Sequence, residues 1–148
     1  MRRFMKCKGF EDNPDVIMPV RKTAFSAGYD FSCLTAWDIK PGETVLIPTG
    51  LKAQMEKGDV LLIYPRSSLA VKKGLRLANS VAVIDADYFS NPSNDGHIMI
   101  PVYNFSKNSV HLDKGERIAQ GIFTKYLTVD DDQAAGQRTG GYGSTGEK

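Results

Sequence analysis

Apolar and polar positions along this chain alternate over short stretches and hardly anywhere recur at the 3.6-residue spacing of an amphipathic helix. Residues 4–10 alternate weakly and predict a first strand, and 11–19, with two prolines, predict a loop. Short strands follow at 29–33, 37–39, 44–48, 51–55 and 60–64. Pro41-Gly42 and Lys57-Gly58-Asp59 supply tight turns between them. One helix is predicted, 67–73, with Ser67 or Ser68 as its cap and Gly74 as its stop. Strands resume at 75–78 and 81–84, a loop rich in Ser, Asn and Pro spans 89–96, and 97–105 and 117–127 complete the set, with turns at Ser106-Lys107-Asn108 and Asp113-Lys114-Gly115. Strands this short, punctuated this often, predict an all-β fold, a jelly-roll-like sandwich or barrel with one short helix.

The stretch 79–88, Asn-Ser-Val-Ala-Val-Ile-Asp-Ala-Asp-Tyr, organises the rest. Period-two alternation puts Val81, Val83, Asp85 and Asp87 on one face and Ala82, Ile84 and Ala86 on the other. Asp85 then follows only apolar side chains on its face. A carboxylate held in such a dry place suits a general base and is costly for a merely structural residue. The same letters also describe a strand end whose Asp-x-Asp faces water. After residue 127 the composition changes: Asp130-Asp131-Asp132 and the glycine-rich 138–146 have little to bury. The division expected is a β domain over 1–128 and a mobile arm over 129–148.

At 148 residues the chain holds one domain with a real core. Its 19 basic and 17 acidic residues are spread evenly, leaving a net charge of +2 and no field that advertises a nucleic-acid or membrane partner. Any anion must be bound locally. Cys7 and Cys33 are too few for a disulfide framework, no apolar signal region follows the basic start, and no run reaches the roughly 20 residues that span a bilayer. The compartment expected is the cytoplasm. His97 and His111 with scattered Cys give no zinc spacing.

Candidate chemistry gathers at four further places. Arg66-Ser67-Ser68 precedes the helix, where a guanidinium, hydroxyls and free N–H groups favour an anion, although a plain cap with a solvated Arg reads the same. The glycine-rich tail with Arg138, Ser144 and Thr145 either wraps polyphosphate through main-chain N–H groups or is a linker; Tyr142, one aromatic among glycines, suggests stacking on a base. Gln120, in Arg117-Ile118-Ala119-Gln120, either reaches a ligand or satisfies a neighbouring chain. Ala27-Gly28-Tyr29-Asp30-Phe31 sets a flexible glycine before an aromatic and an acid.

Together with 79–88 these segments resemble, in order and along nearly the whole chain, the five motifs of the trimeric deoxyuridine triphosphate diphosphatase (dUTPase) family: Ala27 to Phe31, then Pro65-Arg66-Ser67-Ser68-Leu69-Ala70, 79–88, Arg117 to Gln120, and 138–146. Any one motif is weak; five in order are a strong signal. The resemblance implies a jelly-roll protomer, a homotrimer with shared active sites, and Mg2+-dependent hydrolysis of dUTP to dUMP and diphosphate. It also implies roles. Asp85 activates the attacking water, and Tyr88 packs under the deoxyribose where a 2′-hydroxyl has no room. Asn79 and backbone near Ala82 read uracil. Arg66, Ser67, Ser68 and Gln120 contact phosphates, and Asp30 meets the hydrated metal. Arg138, Tyr142, Ser144 and Thr145 close the site, with Tyr142 over the uracil. The chain departs from the family pattern at Ala82, usually Gly, at the long loop 89–96, at Arg138, one residue nearer the Gly-Gly pair, and at Tyr142, usually Phe. Two other readings stand beside it. The related dCTP deaminases share an Arg-Ser-Ser-Leu-Ala segment but need an acid/base Glu, and no Glu lies between Glu56 and Glu116. A nucleotide-sensing protein that signals through its tail or long loop is the other.

Overall fold

The computed structural model describes residues 1–141. Its elements are β1 (Arg3–Lys6), β2 (Tyr29–Ser32), β3 (Trp37–Ile39), β4 (Thr44–Pro48), β5 (Leu51–Gln54), β6 (Asp59–Pro65), α1 (Ser67–Lys73), β7 (Leu75–Leu77), β8 (Ala82–Asp85), β9 (Met99–Asn104), β10 (Val110–Leu112) and β11 (Arg117–Lys125). Every pairing is antiparallel, in a four-stranded sheet β2-β11-β6-β8, a three-stranded sheet β4-β9-β7, and two ribbons, β1-β5 and β3-β10. This is the expected all-β, jelly-roll-like architecture with one helix.

Burial follows the sequence pattern. In β4 Val45 and Ile47 are buried while Thr44 and Leu46 are exposed, and in β9 every second residue is buried. Each of these strands has one wet face. β6 lies between β11 and β8 and is buried almost continuously from Asp59 to Ile63. Phe31, Ile47, Leu61 and Ile100 are among the side chains sealed in the shared core. Phe4 meets the rings of Tyr29, Phe31 and Phe123 at 5.3–5.5 Å and so fastens β1 over β2 and β11. Asp59, buried at the start of β6, is bonded by Arg2 at 2.7 Å and Lys125 at 2.7 Å. Hydrogen bonds from these two cations hold its carboxyl well below the usual carboxylate range. Cys7 and Cys33 are free and buried; burial pushes both thiols up to about 12, which keeps them protonated and inert.

Several boundaries differ from expectation for identifiable reasons. β1 ends at Lys6 because Cys7 turns, its N–H donating to Gly50 O and its carbonyl accepting from Phe10 N. β10 was not expected as a strand; its three residues are too few for a pattern to show and pair only with β3. α1 has Arg66 at its cap position with no side-chain cap bond, so Ser67 and Ser68 lie inside the first turn, not before it. Gly74 ends α1 in the left-handed conformation, φ 64°, and its N–H reaches Ala70 O and Leu69 O. The strand expected at 81–84 runs from Ala82 to Asp85, and the alternation read on to Asp87 stops there because Ala86–Tyr88 form a 3-10 turn. The last strand closes at Lys125; beyond it, among the described residues, the chain has no regular element. No helix of the described residues is long and apolar enough to cross a membrane.

Candidate active site

One group of expected residues gathers where β6 leads into α1. Asp30 on β2 faces Gln120 on β11 in register. Arg117 Nη1 donates to Asp30 Oδ2 at 2.7 Å, and Arg66 Nε lies 3.4 Å from Asp30 Oδ1. Gly28 lacks a side chain for a steric reason, since a Cβ there would come within 2.5 Å of Gln120 Oε1. The result is a cleft of about 210 Å3 lined by Lys22, Asp30, Arg66, Ser67, Arg117 and Gln120. Three cations around one carboxylate make it receptive to an anion. Ser68 lines a different cleft of about 360 Å3, with Arg66, Lys72, Lys73 and Arg117, and the two clefts share Arg66 and Arg117. Sequence reasoning assigned no role to Lys22 or Arg117. Lys22 sits in a loop with no pattern, whereas Arg117 stood inside a segment already singled out.

A second group gathers at the end of β8. Ala82 and Ile84 are buried, whereas Val81, Val83 and Asp85 face outward at 36%, 60% and about half exposure. Within one chain this corrects one expectation: Asp85 is not held in a dry place, because the covered face of β8 is the Ala82/Ile84 face and the Asp85 face is open. The Ala82 side chain packs into the core, so only its backbone is placed to meet a ligand. β8 is an edge strand, with one row of N–H and C=O groups turned away from β6. Asn79 is exposed in the β7–β8 turn, where Ser80 takes φ 64° and Val81 N donates to Asn79 O at 2.7 Å.

The 3-10 turn sends Tyr88 back into the core at 6% exposure and leaves Asp87 outside. Arg138 of the tail closes over this end. Its Nη2 donates to Asp85 Oδ2 at 2.6 Å, its Nε to Asp87 Oδ1 at 2.9 Å, and its guanidinium lies 5.6 Å over the Tyr88 ring. Burial pushes the Tyr88 hydroxyl pKa up, against the lowering effects of Asn94 and Arg138. Asp85, Asp87, Tyr88 and Arg138 therefore form one constellation. Tyr142, Ser144 and Thr145 lie outside the described residues.

The two groups do not meet within the chain. Asp85 is paired with Val60 at the beginning of β6, and Arg66 comes just after its end. Six residue steps run from Val60 to Arg66, about 20 Å at the rise of a strand. The Mg2+ that the resemblance implies would bear on the first group. Among the described residues no three His, Cys, Asp or Glu side chains converge as a metal cage. Magnesium bound by phosphate oxygens and water needs only one or two carboxylates. Asp30 fits that role, because two arginine contacts leave some of its roughly four lone-pair directions open.

Comparison with known proteins identifies the family. A family model described as dUTPase matches residues 14–146. The deoxyuridine 5'-triphosphate nucleotidohydrolase of Lactococcus lactis subsp. lactis (strain IL1403) is 49% identical over 149 residues, 96% of this chain and 99% of that protein. That of Wolinella succinogenes is 33% identical over 97% and 95% of the two chains. Among solved structures, a dUTPase from Streptococcus mutans is 44% identical and superposes with a TM-score of 0.80 over 86% of this chain and 98% of its own. A dUTPase from phage phi11 of S. aureus, at 19% identity, shares the fold with a TM-score of 0.74 over 90% and 96%.

Proposed function

This chain belongs to the dUTPase family and is a dUTP diphosphatase; on that premise we propose that it hydrolyses dUTP to dUMP and diphosphate with Mg2+, in active sites shared among the chains of a homotrimer. The work falls in the cytoplasm, where it limits uracil entering DNA and supplies dUMP for thymidylate synthesis. One observation carries the shared site: Asp85 and the Arg66–Ser67–Gln120 cleft stand about 20 Å apart along β6, too far for one nucleotide to use both in a single chain. A second chain that brings its cleft to Asp85 also covers Val81 and Val83, two apolar side chains otherwise left in water. Cyclic symmetry repeats that contact and closes the ring.

The chemistry rests on the side chains. Asp85 takes a proton from water as its oxygen bonds to the α-phosphorus; the bond from that phosphorus to the β-bridging oxygen breaks, and diphosphate leaves with the electron pair. Arg66, Ser67, Ser68 and Gln120 hold the phosphates, and charge-assisted bonds from Arg66 and Arg117 offset the charge that builds there. Asp30 would hold Mg2+ through its water shell, and the ion would neutralise part of the triphosphate charge there. Asn79 and the open edge of β8 at Ala82 read uracil by main-chain and amide hydrogen bonds, while the Tyr88 ring takes the space of a 2′-hydroxyl. Residues 129–148 act as the closing arm. Arg138 leaves the Asp85 and Asp87 carboxylates for the more highly charged phosphates, and Tyr142, Ser144 and Thr145 complete the cover over uracil and γ-phosphate.

Incubation with dUTP, dCTP and dTTP, each with and without EDTA, is expected to give diphosphate from dUTP alone and only with Mg2+. Ammonia from dCTP, or equal turnover of dTTP, sinks the reading. A complementation experiment tests the sharing. Asp85→Asn and Arg66→Ala are each expected to be inactive. If each site draws Asp85 from one chain and Arg66 from another, random 1:1 trimers hold both intact in about one site in four and recover up to about a quarter of wild-type activity. Subunit exchange verified by mass spectrometry with no recovery would place each site within one chain.

A further inference from the structure

The long loop 89–96 is built around Tyr88. Asn91, 5% exposed, donates its amide to Tyr88 O at 2.9 Å and to Asn94 Oδ1 at 2.7 Å. Asn91 Oδ1 accepts from Ser93 Oγ at 2.9 Å, Ser93 N at 3.1 Å and Asn94 N at 3.2 Å. Asn94 Oδ1 also accepts the Gly96 N–H at 3.1 Å. A backbone N–H can only donate, so this bond fixes which end of the Asn94 amide is oxygen and turns Nδ2 toward Tyr88, whose hydroxyl oxygen lies 2.8 Å away. The Tyr88 hydroxyl in turn donates to His97 O at 2.9 Å. Donors and acceptors therefore run in one direction, from Asn91 and Gly96 through Asn94 to Tyr88 and on to His97.

The loop cannot relax easily away from that ring. Ser90 and Asp95 hold φ of 53° and 59°, and a Cβ on Gly96 would come within 2.7 Å of Tyr88 O. Lys52 bonds Asp95 at 2.7 Å and Ser90 at 3.1 Å, and Lys8 N donates to Asp95 at 2.7 Å, which pins the loop to β5 and the chain after β1. His97 Nε2 accepts the Gly50 N–H at 2.9 Å, and burial pushes its pKa down, so the ring that anchors the loop's far end stays neutral. On the outer side the loop meets the tail. A Cβ on Gly141 would lie 2.9 Å from Asn94 Nδ2 and 3.2 Å from Ser93 Oγ, a close approach open to glycine.

We infer that Asn94 is a positioning residue for substrate selection: it sets the depth of the Tyr88 ring through the phenolic oxygen, so that sugar discrimination depends on one amide. The inference rests on the proposed role of Tyr88 against the 2′-hydroxyl. Asn94 touches no substrate atom. It removes the ring's freedom to tilt away from a ribose, and a ring free to tilt admits UTP.

The test compares kcat/KM for dUTP and UTP in Asn94→Asp, Tyr88→Phe, their double variant and Tyr88→Ala, in the full chain with melting temperature recorded. Asn94→Asp keeps both accepted bonds but turns the donor to Tyr88 into an acceptor, so the single phenolic proton no longer satisfies both position 94 and His97 O; Tyr88→Phe keeps the ring and removes its tether. Each is expected to narrow the dUTP/UTP ratio by about three- to tenfold, with the double variant no worse than either single. Unchanged ratios in both, while Tyr88→Ala narrows the ratio, overturn the role of Asn94 and leave that of Tyr88 standing. A ratio unmoved in Tyr88→Ala removes the premise itself. Additive losses in the double variant also overturn the inference, since they mean that Asn94 acts by a route other than Tyr88.

Discussion

Asp85→Asn is expected to lower kcat for dUTP by more than about a hundredfold while leaving the fold and the affinity for a non-hydrolysable dUTP analogue within a few-fold of wild type. The amide has the carboxylate's shape but cannot take the water's proton. Little stability is expected to be lost, because the Asp85 side chain that meets the largely covered Arg138 is itself half exposed; pairs open to water contribute about 0–1 kcal/mol. Asp87 keeps its own bond to Arg138 at 2.9 Å, so the constellation is not dismantled by the change. Single-turnover kinetics beside calorimetric binding separates the two effects. Activity above about a hundredth of wild type reduces Asp85 to an electrostatic helper. A loss of binding in step with kcat moves its role from the proton to the ground-state complex.

Sequence and structure part company where a local pattern has two tertiary outcomes. Period two separates the faces of β8 but does not say which one meets the core. The dry position expected for Asp85 belongs instead to Ala82 and Ile84, the buried pair. The strand read at 81–84 ends within one residue of Asp85, but the 3-10 turn that follows is hidden in the sequence: it delivers Tyr88 to contacts with His97, Asn91 and Asn94 that no residue within the turn announces. By contrast β4 and β9 are legible from alternation alone, and Gly74 marks the end of α1 because few other residues adopt φ 64° at low cost. The five motif segments point to the family, yet not to their division into two groups at opposite ends of β6. That division is a matter of register, Val60 with Asp85 and Ala119 with Pro65, which composition does not carry. The loop 89–96 reads in sequence as a polar connection. Its asparagines are polar because they supply the bonds that turn the chain around Tyr88.

Removal of residues 137–148 is expected to spare the melting temperature and lower kcat/KM for dUTP by on the order of a hundredfold or more. The last strand ends at Lys125, which is bonded to Asp59, and among the described residues no apolar side chain beyond it joins the core: Leu127 and Val129 are 96% and 68% exposed. Truncation takes away the bonds of Arg138 to Asp85 and Asp87, its cation over the Tyr88 ring, and the approach of Gly141 to Asn94. Deletion has two opposing consequences for turnover. It frees the Asp85 carboxylate oxygen that Arg138 occupies and so opens it to water, which alone would raise activity. It also removes the arm that excludes water and adds positive charge to the phosphates, and that loss acts on the transition state. The second effect dominates on magnitude: an ion pair open to water at Asp85 is worth about 1 kcal/mol at most, whereas losing a positioned cation beside developing phosphate charge costs about 3–4 kcal/mol. Arg138→Ala in the full chain isolates that cation and is expected to account for a large part of the loss. Turnover that rises in either variant would mean that Arg138 serves as a brake on Asp85, with the phosphates held by the Arg66 cleft alone.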